Sequence, residues 1–317
     1  MKRLIALLLC AICAFGLLTG CKNSESESSG KLKIVTTIFP VYDWVRELTA
    51  GCGDVELSLL IDNGVDIHSF QPSARDIIEI GSCDMFVYVG GESDSWVTDA
   101  LEEKINKDMT VVNLLDILGD KSREEKFIEG MSGEREEDPE TDEHVWLSLK
   151  NAEIFTDSIS DGLKKLLPGD KKLLSENAEK YKEELNALDK SYKKTVDSSE
   201  KKTLVFGDRF PFLYLTEDYG INYYAAFSGC SAETEASFNT IAFLADKVDK
   251  YKLNTILKIE TSDSSIADTI KNATKSKNQK ILTLDSMQSK TSEDIKNKVT
   301  YLSVMKDNLK VLKQALK

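Results

Sequence analysis

Eight short apolar runs rich in β-branched residues recur along the chain in two sets of four, with helical periodicity filling the intervals between them. The first set is 32–39 (LKIVTTIF), 55–61 (VELSLLI), 85–90 (MFVYVG) and 110–115 (TVVNLL). The second is 203–207 (TLVFG), 222–227 (NYYAAF), 254–259 (NTILKI) and 280–284 (KILTL). Apolar positions at helical spacing fall near 41–49, 73–81, 94–106, 149–167, 210–219, 237–251, 264–276 and 292–316. Such runs have the length of strands, and strand–helix–strand alternation implies parallel strands joined by crossover helices. The expected fold is α/β, with two four-stranded parallel-sheet domains.

Between the two sets lies 170–198, DKKLLSENAEKYKEELNALDKSYKKTVDS. Apolar or small residues at 174, 178, 181, 185, 188, 192 and 196 make one stripe on one helix face, and charges cover the rest. At about 1.5 Å per residue such a helix reaches roughly 40 Å, enough to cross both domains. A single stiff helix permits less relative motion than a loop hinge. The expected organisation is an N-terminal α/β lobe at 31–169, the linking helix at 170–198 and a C-terminal α/β lobe at 199–317.

The first twenty residues fall outside that pattern. Lys2-Arg3 precedes an apolar run from Leu4 to Leu18, and the run ends in Leu18-Thr19-Gly20-Cys21. A short basic start, an apolar stretch and small residues describe an export signal, here 1–20. LTGC resembles a bacterial lipobox, a resemblance that implies cleavage before Cys21 and a lipid on its sulfur. The alternative is a membrane anchor, for which the run is at the short end of the span of about 20 residues. Residues 21–30 then read as a polar, Ser-rich tether. The expected location is the outer face of the cell membrane, lipid-anchored.

Charge and residue counts narrow the chemistry. The chain has 41 Lys+Arg against 54 Asp+Glu, a net charge of −13. That balance argues against nucleic-acid binding, which needs a basic face. There are only 2 His, so any imidazole chemistry must use His68 or His144. Of the 6 Cys, Cys52, Cys83 and Cys230 remain after the signal and lipid positions are set aside. Cys52 and Cys83 each precede a strand run, which leaves a disulfide and two free thiols both open. Cys230 has no evident partner. The acidic stretch 128–143 is read as a solvated loop whose field can also attract cations.

Parallel α/β sheets bind ligands beyond the carboxyl ends of their strands. His68 follows the run at 55–61, and His144 follows the acidic loop. Asp208, Glu260 and Asp285 end the runs at 203, 254 and 280. These histidines and carboxylates therefore fall on one rim, drawn from both halves, where a cleft would gather them. Imidazole with carboxylate suits a divalent transition metal, zinc or manganese. Read singly, each residue has a plainer role: a histidine as a hydrogen-bonded surface group, a strand-end Asp as a helix N-cap.

The stretch H68-S-F-Q-P-S-A-R-D76 resembles the first ligand motif of the cluster A-I solute-binding proteins of zinc and manganese ABC transporters. H144-V-W-L-S-L-K-N-A152 resembles the second, T36-T-I-F-P-V-Y-D43 the opening strand and turn, and L282-T-L-D285 the strand end that supplies the last carboxylate. The resemblance spans 32–317. It implies two lobes with the ligand site in the cleft between them, and Pro72 starting the helix after the first ligand loop. It implies metal ligands at His68, His144 and Asp285, and a third ligand before an aromatic helix leading to Tyr219-Gly220. Counting back without gaps puts Arg209 at that third position, and a guanidinium cannot ligate. Asp208 is the nearest competent substitute, with helix capping as its other role. Glu260, Cys230 with Glu233 or Glu235, and water stay open as alternatives.

The function so implied is capture of a divalent ion, zinc before manganese, for delivery to an ABC permease with its ATPase. The binding protein is expected to be a monomer and not an enzyme. A metal-dependent hydrolase and a surface adhesin are the competing readings. The first lacks an H-E-x-x-H or nucleophile motif; the second needs only the surface location.

Overall fold

The computed structural model describes residues 30–133, 140–231 and 235–317. The export signal, Cys21, most of the tether and Glu233 lie outside the described residues. The first sheet contains β1 (Leu32–Thr36), β2 (Val55–Leu59), β3 (Met85–Tyr88) and β4 (Thr110–Asn113) in the order β2-β1-β3-β4. The second contains β5 (Thr203–Phe206), β6 (Asn222–Ala225), β7 (Thr255–Lys258) and β8 (Lys280–Thr283) in the order β6-β5-β7-β8. Every strand pairing is parallel. Both halves thus repeat one topology, as the two sets of runs imply. In each, the order reverses between the first and third strands, which opens a crevice at the carboxyl edge. Central strands such as Met85–Val87 and Leu204–Phe206 are buried residue after residue. Helices cover both faces of such strands, so they read as continuous apolar runs without alternation.

The helix Lys171–Asp197 runs unbroken for 27 residues. Leu174, Ala178, Tyr181, Leu185, Leu188, Tyr192 and Val196 are all buried, the stripe seen in the sequence. It packs on Phe39–Leu48 and Leu149–Leu166 beside the first sheet, and on Leu213–Tyr219 and Tyr301–Ala315 beside the second. Side chains fix it at both ends: Asn177 Nδ2 donates to Leu48 O at 2.8 Å, and the Tyr192 hydroxyl donates to Met305 O at 2.6 Å.

Residues 32–317 form one compact unit. One apolar core runs from Ile34 and Val87 through Trp44, Trp146, Tyr192 and Tyr301 to Phe206 and Leu257. Two of its aromatic polar atoms tie it together: Trp146 Nε1 donates to Ser286 O at 2.8 Å, and the Tyr301 hydroxyl donates to Trp146 O at 2.7 Å.

Two local expectations change, and one open question is resolved. The periodic stretch 292–316 is two helices, Ser292–Lys296 and Tyr301–Ala315. The chain breaks because Lys298 adopts φ 63°, Thr300 caps the second helix from its side chain, and Tyr301 N–H donates to the buried Asp43 carboxylate. The helix after His68 starts at Ala74 with Ser73 as N-cap in a reciprocal box with Asp76, so Pro72 lies just outside it. Cys52 and Cys83 are free thiols, and Cys83 donates to Met85 O inside the core.

Candidate metal site

The loop after β2 carries His68 in a single 3-10 turn, Ile67–Ser69, capped by Asp66. Asp66 Oδ1 accepts the His68 N–H at 3.1 Å. His144 sits at the head of a second short turn, Val145–Leu147, and Asp142 Oδ1 accepts its N–H at 2.8 Å. An acidic side chain two residues upstream therefore orients each histidine backbone.

These two turns bring the imidazoles together. His68 Nε2 and His144 Nε2 lie 3.2 Å apart. The far nitrogens are engaged: His68 Nδ1 with Ser93 Oγ at 2.7 Å, and His144 Nδ1 with Asp142 Oδ1 at 3.1 Å. A carboxylate only accepts, so His144 carries its proton on Nδ1 and points the Nε2 lone pair inward. Outer partners of this kind fix ring orientation at metal sites.

Among the described residues, one group of metal-binding side chains converges: His68, His144 and Cys230, with ligand atoms all within 4.8 Å of one another. Cys230 enters on the loop after β6, where its N–H donates to Glu125 Oε1 at 2.7 Å. Gly229 lets that loop close in. A Cβ there would meet Phe210 O at 2.9 Å and His144 Cε1 at 3.1 Å.

The expected carboxylates are placed otherwise. Asp208 lies at the end of β5, where Oδ1 accepts from Arg209 N–H at 2.8 Å and Oδ2 from Ile259 N–H at 3.2 Å. Its carbonyl accepts from Ala226 and Phe227, so Asp208 ties together the ends of three strands. Its alternative role, capping the following helix, is not filled either: that helix begins later, at Leu213, with Phe212 as N-cap. Asp285 Oδ2 pairs with Lys290 Nζ at 2.5 Å, and Oδ1 accepts from Met287 N–H at 2.9 Å. Glu260 accepts from Ser286 and Gln288. None of the three belongs to the converging group. Arg209 reaches across to the first half, where Nη2 lies 2.6 Å from Asp66 Oδ2.

A rim position, outside the core, was expected for both histidines. His68 is partly exposed, whereas His144 is fully buried, with Trp146 packed beside its ring. Burial and the neighbouring His144 push the His68 imidazole down to about 3, keeping it neutral. Burial also disfavours charge on His144, but Asp142 outweighs it and holds that ring above its usual value. Burial would raise Asp66, yet Arg209 and His68 hold it below the usual carboxylate range. Burial, with Glu125 adding to it, pushes the Cys230 thiol up.

A cavity of about 1010 Å³ opens onto His68 and Cys230, and Glu92, Asp99, Glu125 and Glu143 are among its lining residues. Glu143 is buried, accepts from Ser93 N–H at 2.8 Å through Oε1, and leaves Oε2 without a hydrogen bond, 3.8 Å from His68 Nδ1. Carboxylates gathered around these two imidazoles favour cations. The Ser93 and Glu143 partnership had no sequence motif; its one trace is Gly91, since a Cβ there would strike Glu143.

Residues 34–315 match the model of the ZnuA family, the periplasmic zinc-uptake complex component A. The chain belongs to this family. Zinc-binding lipoprotein AdcA of Streptococcus pneumoniae is 35% identical over 99% of the chain, which covers 61% of that protein. The chain therefore spans about three-fifths of the length of such streptococcal relatives. The high-affinity zinc uptake system protein ZnuA of Bacillus subtilis is 30% identical, with 99% of the chain and 98% of that protein covered. The Zn(II)-bound ZnuA-like domain of Streptococcus pneumoniae AdcA superposes with a TM-score of 0.71 at 32% identity, covering 90% of the chain and 99% of that domain. The laminin-binding protein Lmb of Streptococcus agalactiae, described as having adhesin and metal transporting activity, gives a TM-score of 0.71 at 26% identity, covering 90% of the chain and all of Lmb (100%). The two-sheet architecture is thus the family fold.

Proposed function

We propose that this protein captures a zinc ion outside the cytoplasm and hands it to an ABC permease driven by its ATPase. Lipid on Cys21 tethers it to the membrane, and it works as a binding protein, not as an enzyme. The observation that carries this reading is the pair of inward-facing Nε2 atoms, 3.2 Å apart, contributed by loops 76 residues apart. Two imidazoles that close, each locked by its other nitrogen, are a preformed half of a tetrahedral zinc site. Family membership supports the cargo and the transporter. Of the four ligands expected from sequence, His68 and His144 are retained here. Asp208 and Asp285 are left out because their oxygens are satisfied by Arg209, Ile259, Met287 and Lys290.

Calorimetry tests the reading. The native chain should take up one zinc ion, and His68→Ala with His144→Ala should take up none while its circular dichroism stays native. Undiminished zinc binding by a folded double variant overturns the proposal. Similarity to Lmb favours one further role, attachment to host matrix. Loss-free laminin binding by the same variant would assign adhesion to a different surface.

A further inference from the structure

We propose that Cys230 is the third protein ligand, bound as thiolate, and that the resulting two-nitrogen, one-sulfur set selects zinc-like ions over manganese. The inference rests on the capture of a metal at His68 and His144 and deepens that reading.

Three observations carry it. Cys230 Sγ is the one atom beyond the imidazoles in the converging group found among the described residues. The loop that bears it is built for close approach: Gly229 packs against His144 and Phe210 where a Cβ would clash, and Glu125 anchors the Cys230 N–H. The oxygen donors nearest in expectation, Asp208 and Asp285, are committed to other hydrogen bonds, and Arg209 is held by Asp66.

The chemistry follows from the donor. A thiolate is a soft ligand that suits zinc and disfavours manganese, which prefers carboxylate, carbonyl and water. As the sulfur–metal bond forms, the S–H bond breaks and the proton passes to solvent through the cavity, one proton per ion. Two nitrogens and a sulfur leave a fourth tetrahedral position facing the cavity, open to water.

Cobalt(II) is the probe, because thiolate coordination gives it an intense near-ultraviolet charge-transfer band. The full chain titrated with cobalt should develop that band to a one-to-one endpoint. Cys230→Ser should still bind cobalt without the band, should lose roughly 100-fold or more in zinc affinity, and should change in manganese affinity by less than about 3-fold. Zinc should protect Cys230, and not Cys52, from alkylation as read by mass spectrometry of the native chain. Histidine-dependent binding without the band, or zinc binding by Cys230→Ser within about 3-fold of native, overturns the thiolate assignment and leaves metal capture standing. No stoichiometric uptake of either ion by the native chain overturns both.

Discussion

The guanidinium of Arg209 lies 2.6 Å from the carboxylate of Asp66, and Asp66 in turn accepts the backbone N–H of His68 at 3.1 Å. A residue from the second half of the chain thereby fixes the turn that aims a histidine in the first half. Arg209 stands where the family resemblance leads one to expect a ligand, and it acts instead through its partner.

Cutting that strap should loosen the site. In Arg209→Gln, Asp66 keeps a largely buried charge without its cation, and the His68 turn gains freedom. Zinc affinity should fall roughly 10-fold, within the range for outer partners of metal ligands, with stoichiometry unchanged in chelator-competition titrations. Arg209→Lys should restore only part of it, because an ammonium lacks the planar fork. Native affinity in Arg209→Gln would show that the pair holds the fold alone.

Ser93 sets the other side of the same ring. Its Oγ is 2.7 Å from His68 Nδ1. Ser93→Ala should weaken zinc binding by about 10- to 100-fold through loss of ring orientation, while urea midpoints move little because Ser93 is near the cavity surface.

The linking helix is held by its stripe. Leu185 is fully buried in the middle of that helix. Leu185→Ala should cost roughly 2–5 kcal/mol in urea unfolding, as a lost side chain plus a cavity. Substitution of the exposed Lys180 to Ala should change stability by less than about 0.5 kcal/mol.

Asp43 gives a pH signature. Burial pushes its carboxyl up to about 6, against an attractive Arg46 and the Tyr301 N–H it accepts. A raised carboxyl binds its proton more tightly folded than unfolded. Its contribution is therefore complete below pH about 4 and is lost as pH rises through about 6. Asp43→Asn keeps an acceptor for Tyr301 and removes the titration. Urea unfolding from pH 4 to 7 should show the native chain losing about 3 kcal/mol relative to the variant across that window. Parallel curves would remove Asp43 as the cause.

Strand runs, the helical stripe from Leu174 to Val196 and the two histidines were legible in the sequence because each follows from local periodicity or from scarcity. With 2 His in the chain, imidazole candidates needed no geometry. Strand-end carboxylates were harder to place. Asp208, Glu260 and Asp285 look alike in sequence, and only the fold places Asp208 where three strands end, Glu260 beside Ser286 and Asp285 beside Lys290. Tertiary structure decided that Cys230, not Asp208, approaches the imidazoles, that Arg209 binds Asp66, and that His144 is buried. The physical reason is range. Periodicity acts over one helical turn or one strand, whereas the Cys230 and Arg209 contacts join loops from opposite halves of the chain, whose meeting depends on how the whole core packs.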